Sequence, residues 1–329
     1  MDEVTCCVCH RPVGTDARRI GGRCFCEVHY ARATRNRRSV WRAGLLQILG
    51  LIAFVLVVEL VVSLTDLALD GWALLIAGIV LALVPALLWL VFFYRQDQLE
   101  PEPKGAVVGV FILGALLAQA VGIPLVEQVF EVRRWLPIGT WTHILGSILV
   151  VGFTQEFLKY AAVRYSIYPT LEFDERVDGI VYGTAAGLGY ATLLNLRYVV
   201  DSGGVNFQAG VIRIVVTALA QASFAGLSGY FLGRAKFEDE PVWWLPGGVS
   251  LAALLNGLFT YLRGEITTTG LTLSGGGVNP WPGLILAALV AGATFALLSY
   301  LIRRANRLTL AGADAEGAAS SPFTSEGGV

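Results

Sequence analysis

The chain has 329 residues, of which 55% are hydrophobic and only 15% are charged, and its mean hydropathy is +0.64. This composition excludes an ordinary soluble domain and a disordered polar chain, and it indicates a protein that crosses a membrane several times. The formal net charge of -1 says little, because the information is in where the charges lie, and no nucleic-acid partner is expected.

The N-terminal segment, residues 1–35, contains all five cysteines and two of the three histidines. Two pairs of potential ligands each have two residues between their members, and sixteen residues separate the pairs, which is typical of a structural zinc site. The predicted zinc ligands are Cys6, Cys9, Cys26 and His29. Nearby residues that compete as ligands are Cys7, His10 and Cys24. The segment resembles one half of a LIM-type or treble-clef zinc finger, and the alternative is a set of reduced free thiols.

Residues 36–43 form a basic juxtamembrane linker, and eight apolar segments follow that are long enough to cross about 30 Å of hydrocarbon. The predicted spans cover residues 44–64, 73–94, 105–125, 142–164, 178–200, 210–233, 243–262 and 281–302. The predicted fold is therefore an all-α polytopic membrane protein with about eight transmembrane helices, in a transmembrane domain of residues 44–308. Residues 309–329 are small and polar, which predicts a disordered tail.

The distribution of positive charge predicts the orientation of these spans. Most of the 24 Lys and Arg residues lie in the segments on the same side as the two termini. The positive-inside rule therefore predicts cytoplasmic termini, and we expect the plasma membrane of a prokaryote. No apolar segment opens the chain, so we expect no cleavable signal peptide, and the first span serves as the insertion signal.

Five sequence blocks occur in order between about residues 90 and 263. They read FYRQDQLEPEPKG, TQEFLKY, DGIVYGTAAGLGYATLLNLRY, QASFAGLSGYFLGRAKF and LLNGLFTYL. Together they resemble the successive signature blocks of the PrsW family of intramembrane proteases, which is related to the CAAX prenyl endopeptidases. The resemblance implies a helical intramembrane-protease bundle with a polar cavity that opens from the cytoplasmic half of the bilayer.

The positions that the resemblance assigns to catalysis depart from the family pattern. They are Gln155, Glu156, Lys159, Leu194, Asn195, Gln221 and Asn256. The family pattern has glutamate at positions 155 and 194 and histidine at positions 221 and 256. We expect all seven positions to lie near one cavity in the inner half of the bilayer.

These substitutions remove the groups that hydrolysis requires. Peptide hydrolysis needs a water activated by a general base or a metal, and side-chain amides cannot take up a proton. The three histidines are His10, His29 and His143, so no metal is expected in the membrane cavity. The one predicted cofactor is the structural zinc of the N-terminal segment.

Two roles remain open for Glu156 and Lys159, which are three residues apart and therefore neighbours on one helix face. They form an internal ion pair that anchors the helix, or Glu156 acts as a general base with Lys159 as electrophile and Asn195 as oxyanion donor. The amides at positions 155, 221 and 256 either line a binding cavity or only satisfy one another.

Functions from different classes follow from these alternatives. The first is a non-cleaving scaffold in the lipid bilayer that binds transmembrane or lipidated clients, while the zinc finger recruits a cytoplasmic protein. The second is a divergent but active intramembrane protease that uses Glu156. A transporter or channel is a weaker alternative, because neither an inverted repeat nor a broken helix pair is apparent.

Overall fold

Helices dominate the chain, as its long apolar segments predict. The computed structural model describes residues 4–6, 9, 11–14, 17–20, 23–34, 40–65, 71–95, 102–202, 209–269 and 281–319. Two strands are described, β1 (Arg18–Ile20) and β2 (Arg23–Phe25). The helices are α1 (Glu27–Thr34), α2 (Val40–Thr65), α3 (Gly71–Tyr94), α4 (Lys104–Leu117), α5 (Val132–Trp135), α6 (Thr140–Gly146), α7 (Phe153–Ser166), α8 (Asp178–Asp201), α9 (Ala209–Phe237), α10 (Trp244–Thr269) and α11 (Trp281–Ala319).

The N-terminal segment folds as a turn, a hairpin and a short helix. Thr5 pairs with Pro12 in an isolated antiparallel bridge, and β1 and β2 pair antiparallel with Arg18 opposite Phe25. Helix α1 follows directly, and the Phe25 side chain is buried. Strand β1 also contacts α11, so this segment lies against the last described helix of the membrane domain.

All eight predicted spans fall on helices of the structure. Within the described residues, six helical segments are long and apolar enough to cross a membrane: Gly71–Tyr94, Lys104–Ile138, Thr140–Ser166, Gly210–Phe237, Trp244–Arg263 and Ile285–Leu308. The segment identified within α2 is shorter, Leu49–Val58. Helix α8 falls outside this set, and its many glycines and polar residues suit a helix that is covered by protein instead of lipid. The all-α polytopic fold is confirmed, and eight is an approximate count.

The last helix is longer than the sequence predicts. A disordered tail was expected from residue 309, whereas α11 continues to Ala319. Residues 309–319 are rich in alanine, the strongest helix former, so the helix extends beyond its apolar part. The rest of the predicted tail, residues 320–329, lies outside the described residues.

Helix α8 is the centre of the bundle and packs against α9, α4, α3 and α7. Every residue from Asp178 to Thr192 is buried. The glycines allow this burial, because their backbones meet those of the neighbouring helices. A Cβ atom built on Gly229 of α9 would lie 1.9 Å from the carbonyl oxygen of Gly179 in α8. Glycine at both positions therefore sets the distance between the two helices.

Replacing Gly229 with alanine is expected to destabilise the bundle by about 2 kcal/mol or more, because the added methyl group forces α8 and α9 apart. Gly109→Ala in α4 is the matched control, since its Cβ would meet nothing within 4 Å. Unfolding of both purified variants in detergent measures the difference. Equal stability of the two variants would contradict the close α8–α9 contact.

Two of the transmembrane segments contain π-helical turns that the sequence did not predict. The segment Lys104–Ile138 has π-helical turns at Ala118–Gly122 and Leu125–Val129. The segment Thr140–Ser166 has one at Ser147–Gly152, directly before α7. The start of α7 packs closely on α10, because a Cβ on Gly152 would lie 2.3 Å from the carbonyl oxygen of Ala253. This contact brings the polar residues of α7 next to those of α10.

Candidate functional site

The polar centre of the membrane domain is built by three helices. Helix α7 contributes Gln155, Glu156 and Lys159, α9 contributes Gln221, and α10 contributes Asn256. Positions 155, 156 and 159 share one face of α7, since residues three and four apart are neighbours on a helix. All five side chains are buried. The structure therefore brings together five of the seven predicted positions.

Hydrogen bonds join these five side chains into one network. Lys159 Nζ donates to Glu156 Oε1 and, at 2.5 Å, to Gln221 Oε1. Gln221 Nε2 donates to Gln155 Oε1 and to Asn256 Oδ1, each at 3.2 Å. Asn256 Nδ2 donates to Gln155 Oε1 at 3.1 Å and to Glu156 Oε1 at 2.7 Å. Gln221 and Asn256 therefore both donate and accept within the network, and Gln155 accepts a hydrogen bond from each of them.

The network contains the predicted ion pair between Glu156 and Lys159, and both side chains are 0% exposed. Burial of two charges is expensive unless they are paired and their remaining hydrogen-bonding groups are satisfied. Lys159 and Asn256 satisfy Glu156 Oε1, whereas Glu156 Oε2 is buried without a hydrogen-bond partner. Among the described side chains of the network, this carboxylate oxygen is a buried acceptor to which a further donor could bind.

The structure does not bring Leu194 and Asn195 into the network, contrary to the prediction of one shared cavity. Asn195 Nδ2 donates to the carbonyl oxygen of Ile214 at 3.0 Å. On α8, Gly187 is the residue that lies beside the backbone of Gln221, because its Cβ would be 2.3 Å from the Gln221 carbonyl oxygen. Asn195 follows eight residues later, which is about 12 Å along the helix. The hydrogen bond to Ile214 occupies the Asn195 amide outside the five-residue network.

Sequence reasoning missed Tyr190, the aromatic wall of this centre. Lys159 Nζ lies 5.6 Å from the centroid of the Tyr190 ring, within the range of a cation–π contact. The ring is buried, and its hydroxyl occupies the space that a Cβ on Gly122 would need. The sequence indicated the tight packing around Tyr190, because this residue directly follows the glycines of a helix rich in small residues.

A second buried polar cluster lies where α8 begins. Tyr182 donates its hydroxyl to Glu102 Oε2 at 2.6 Å, and Tyr94 donates to the Glu102 carbonyl oxygen at 2.9 Å. Nearby, Arg234 and Arg176 bind Glu238. Partial burial opposes ionisation of Glu238, but the two hydrogen-bonded guanidinium groups hold its pKa below the usual value.

The N-terminal segment brings the four predicted zinc ligands together. The Cys26 Sγ lies 3.1 Å from His29 Nδ1, and the Cys9 Sγ lies 4.0 Å from the Cys26 Sγ. The Cys6 Sγ is 3.7 Å from His29 Nδ1, and all four ligand atoms lie within 4.8 Å of one another. Tetrahedral ligands at 2.3 Å from zinc are about 3.8 Å apart, so the cluster has the right size for one metal ion.

Three further residues were predicted to compete with these four as zinc ligands. Cys24 is described but lies outside the cluster of four, whereas Cys7 and His10 fall outside the described residues.

Comparisons with known proteins agree on one family. A family model described as PrsW family intramembrane metalloprotease matches residues 102–275. Protease PrsW of Bacillus subtilis (strain 168) is 32% identical over 193 residues, which cover 58% of this chain and 83% of that protein. Protease PrsW of Oceanobacillus iheyensis is 26% identical over 242 residues, covering 72% of this chain and 98% of that protein. No solved structure matches the chain significantly.

The name of this family model implies a metal, but the polar centre does not fit one. Catalytic zinc is bound by imidazole, thiolate or carboxylate groups, and this network offers one carboxylate and three amides. Each amide oxygen already accepts a hydrogen bond, and the Lys159 ammonium lies among them. A metal cation there would face the positive charge of Lys159 and would have only Glu156 Oε2 as an unused oxygen.

Proposed function

We propose, because this chain belongs to the PrsW family of intramembrane metalloproteases, that its membrane domain is a non-cleaving descendant of a protease. In this proposal it binds transmembrane or lipidated clients and leaves them intact. The observation that carries the proposal is the hydrogen-bonded network of Gln155, Gln221 and Asn256 around the Glu156–Lys159 pair. Peptide hydrolysis requires a proton acceptor or a metal-activated water, and the amides supply neither.

An apolar cleft within the spans supports a hydrophobic client. It has a volume of about 450 Å³ and lies between α2, α3, α9 and α11, where Leu56, Trp89, Val215 and Phe295 are among its walls. Its lining offers no polar atoms, so only a hydrocarbon surface such as the side chains of a transmembrane helix suits it. This cleft and the polar centre are both built partly by α9.

Incubation of the purified full-length chain with a labelled pool of lipid-embedded substrates tests the proposal. The Bacillus subtilis relative serves as positive control, and Glu156→Ala serves as the matched variant. We expect cleavage by the relative and none by this chain or its variant. Cleavage by the unaltered chain that disappears in Glu156→Ala would replace the scaffold with an active protease.

One observation favours that second candidate. Glu156 Oε2 is the buried oxygen of the network without a partner, and an attacking water bound there would have a carboxylate base beside it. Lys159 donates to the other oxygen of the same carboxylate and would hold it in position beside that water.

The N-terminal segment supports a second part of the proposal, a structural zinc site that recruits a cytoplasmic protein. The order of turn, hairpin and helix, with Cys26 and His29 at the helix start, is consistent with a treble-clef finger. Four protein ligands leave no open coordination position, so the zinc would stabilise the segment and would not catalyse. Cytoplasmic termini and a plasma-membrane location complete the proposal, on the basis of the charge distribution.

Elemental analysis of the purified full-length chain is expected to find about one zinc per chain, because the four ligands close one tetrahedral site. Cys9→Ser should lose most of this zinc, since a hydroxyl is a poor replacement for a thiolate ligand. Cys24→Ser removes a neighbouring thiol outside the cluster and should keep its zinc. Equal zinc contents in the two variants would refute the assigned ligands.

A further inference from the structure

The apolar cleft between α2, α3, α9 and α11 has two different ends. Leu51, Trp89 and Phe295 line one end, where the ring centroids of Trp89 and Phe295 are 5.4 Å apart. The other end lies about two helical turns away along α3, where Ile214 of α9 and Leu81 belong to one buried apolar cluster.

Three polar side chains lie at the Trp89 end of the cleft or one helical turn beyond it. Trp89 is 2% exposed, and its Nε1 has no hydrogen-bond partner among the described residues. Gln47 is one turn before Leu51 on α2, and Ser299 is one turn after Phe295 on α11, so each shares a helix face with a residue of the cleft wall. Gln47 Nε2 and Ser299 Oγ are likewise buried without a partner in the described part of the chain.

These three atoms define the chemistry of a ligand for the cleft. Each can donate a hydrogen bond, and a buried donor without an acceptor costs free energy, so a ligand that brings an acceptor is favoured. The walls of the cleft offer no polar atoms, so the rest of the ligand must be hydrocarbon. All three donors are uncharged, which favours a neutral carbonyl over a carboxylate that would be buried without a cation.

We propose that the cleft binds one acyl chain of a membrane phospholipid, whose ester carbonyl accepts hydrogen bonds from Trp89 and Gln47. At about 30 Å³ for each heavy atom, the share of one water molecule in the liquid, the cleft holds a chain of about fifteen carbons. Trp89 is five residues from the end of the span Gly71–Tyr94, about 8 Å along the helix. The donors therefore lie just inside the membrane boundary, where the ester groups of a bilayer are found.

A phospholipid suits this end of the cleft better than a transmembrane helix does. The backbone carbonyls of a helix in a membrane are already hydrogen-bonded within that helix, so they are not available to Trp89 and Gln47. A client that enters the cleft would have to displace the acyl chain. The site does not depend on whether the membrane domain cleaves its clients.

Binding is measured as the shift in thermal stability of the delipidated full-length chain in detergent. The probes are dipalmitoyl phosphatidylcholine and its dihexadecyl ether analogue, which has chains of the same length and no ester carbonyls. We expect half-saturation of the parent at an about tenfold lower concentration of the ester lipid. Trp89→Phe keeps an aromatic ring and loses the N–H, so this preference should fall to about threefold or less. Trp141→Phe changes a tryptophan that is 76% exposed and should keep the full preference.

A second variant tests the cleft without altering a buried side chain. Gly292 lines the cleft, and a Cβ on it would meet nothing within 4 Å, so Gly292→Leu should fold and fill the space of the acyl chain. We expect this variant to bind both lipids about tenfold more weakly or worse, because the chain loses its buried surface. Gly109→Leu, whose Cβ also meets nothing within 4 Å, is the matched control on α4 and should bind as the parent does.

Equal binding of the ester and ether lipids by the parent would overturn the carbonyl contact. Unchanged lipid binding by Gly292→Leu would overturn the cleft as the site. A hydrophobic transmembrane peptide is tested beside the lipids. Stabilisation of the parent by this peptide and by neither lipid would overturn the phospholipid as the occupant.

Discussion

Lys159→Met is expected to destabilise the membrane domain by about 3 to 5 kcal/mol, because it leaves the Glu156 carboxylate buried without its cation. Both side chains are 0% exposed, so water cannot replace the lost partner. Gln221 Oε1 loses its ammonium donor at the same time. Unfolding of the purified variant in detergent, relative to the parent chain, measures the loss.

The double variant Glu156→Gln/Lys159→Met removes both charges and should recover much of this stability. A double-mutant cycle with the two single variants then gives the coupling between the side chains. Arg134→Gln is the control for an exposed pair and should cost less than about 1 kcal/mol. A stability of Lys159→Met within that same range would show that Glu156 is not charged in the folded protein.

Restoration of Gln155 to glutamate alone is expected to give neither proteolysis nor an additional metal ion. Catalytic groups act as a unit, so one restored member of a set commonly recovers almost nothing. The added carboxylate would also lie within reach of the amides that now hold Gln155 Oε1. We expect it to pair with Lys159 or to remain protonated, because the site lacks imidazole ligands.

The triple variant Gln155→Glu/Gln221→His/Asn256→His supplies two carboxylates and two imidazoles to the same centre. We expect it to bind about one metal ion more than Gln155→Glu, since this donor set suits zinc. Metal content and cleavage of lipid-embedded substrates are measured together, with Leu194→Glu added in a fourth variant. Metal binding or cleavage by Gln155→Glu alone would show that the amides at positions 221 and 256 do not prevent metal binding and proteolysis.

Much of the fold was accessible from the sequence because bilayer thickness imposes a minimum length on apolar helices. All eight predicted spans are helical, and the i, i+3 spacing predicted the contact between Glu156 and Lys159. The four N-terminal ligands likewise cluster as their spacing predicted. These features depend on local periodicity or on short separations along the chain.

The features that the sequence did not predict correctly are the distances between residues on different helices and the residues at which helices end. Asn195 shares a sequence block with the central glycines, but helical rise carries it about two turns from Gln221, where it binds the carbonyl oxygen of Ile214. Glu102 is buried against Tyr182, which lies 80 residues further along the chain, and the sequence does not indicate this contact. Neither relation can be read from residue types, because each depends on how separate helices pack.

The contact between β1 and α11 joins the first described strand to the last described helix. A ribosome makes residues 18–20 long before residue 281, so the N-terminal segment completes its own local contacts while its docking surface does not yet exist. This docking therefore closes a loop of more than two hundred residues, which is a slow step with a high entropic cost. The N-terminal segment can therefore dock only after every intervening span has been synthesised and inserted.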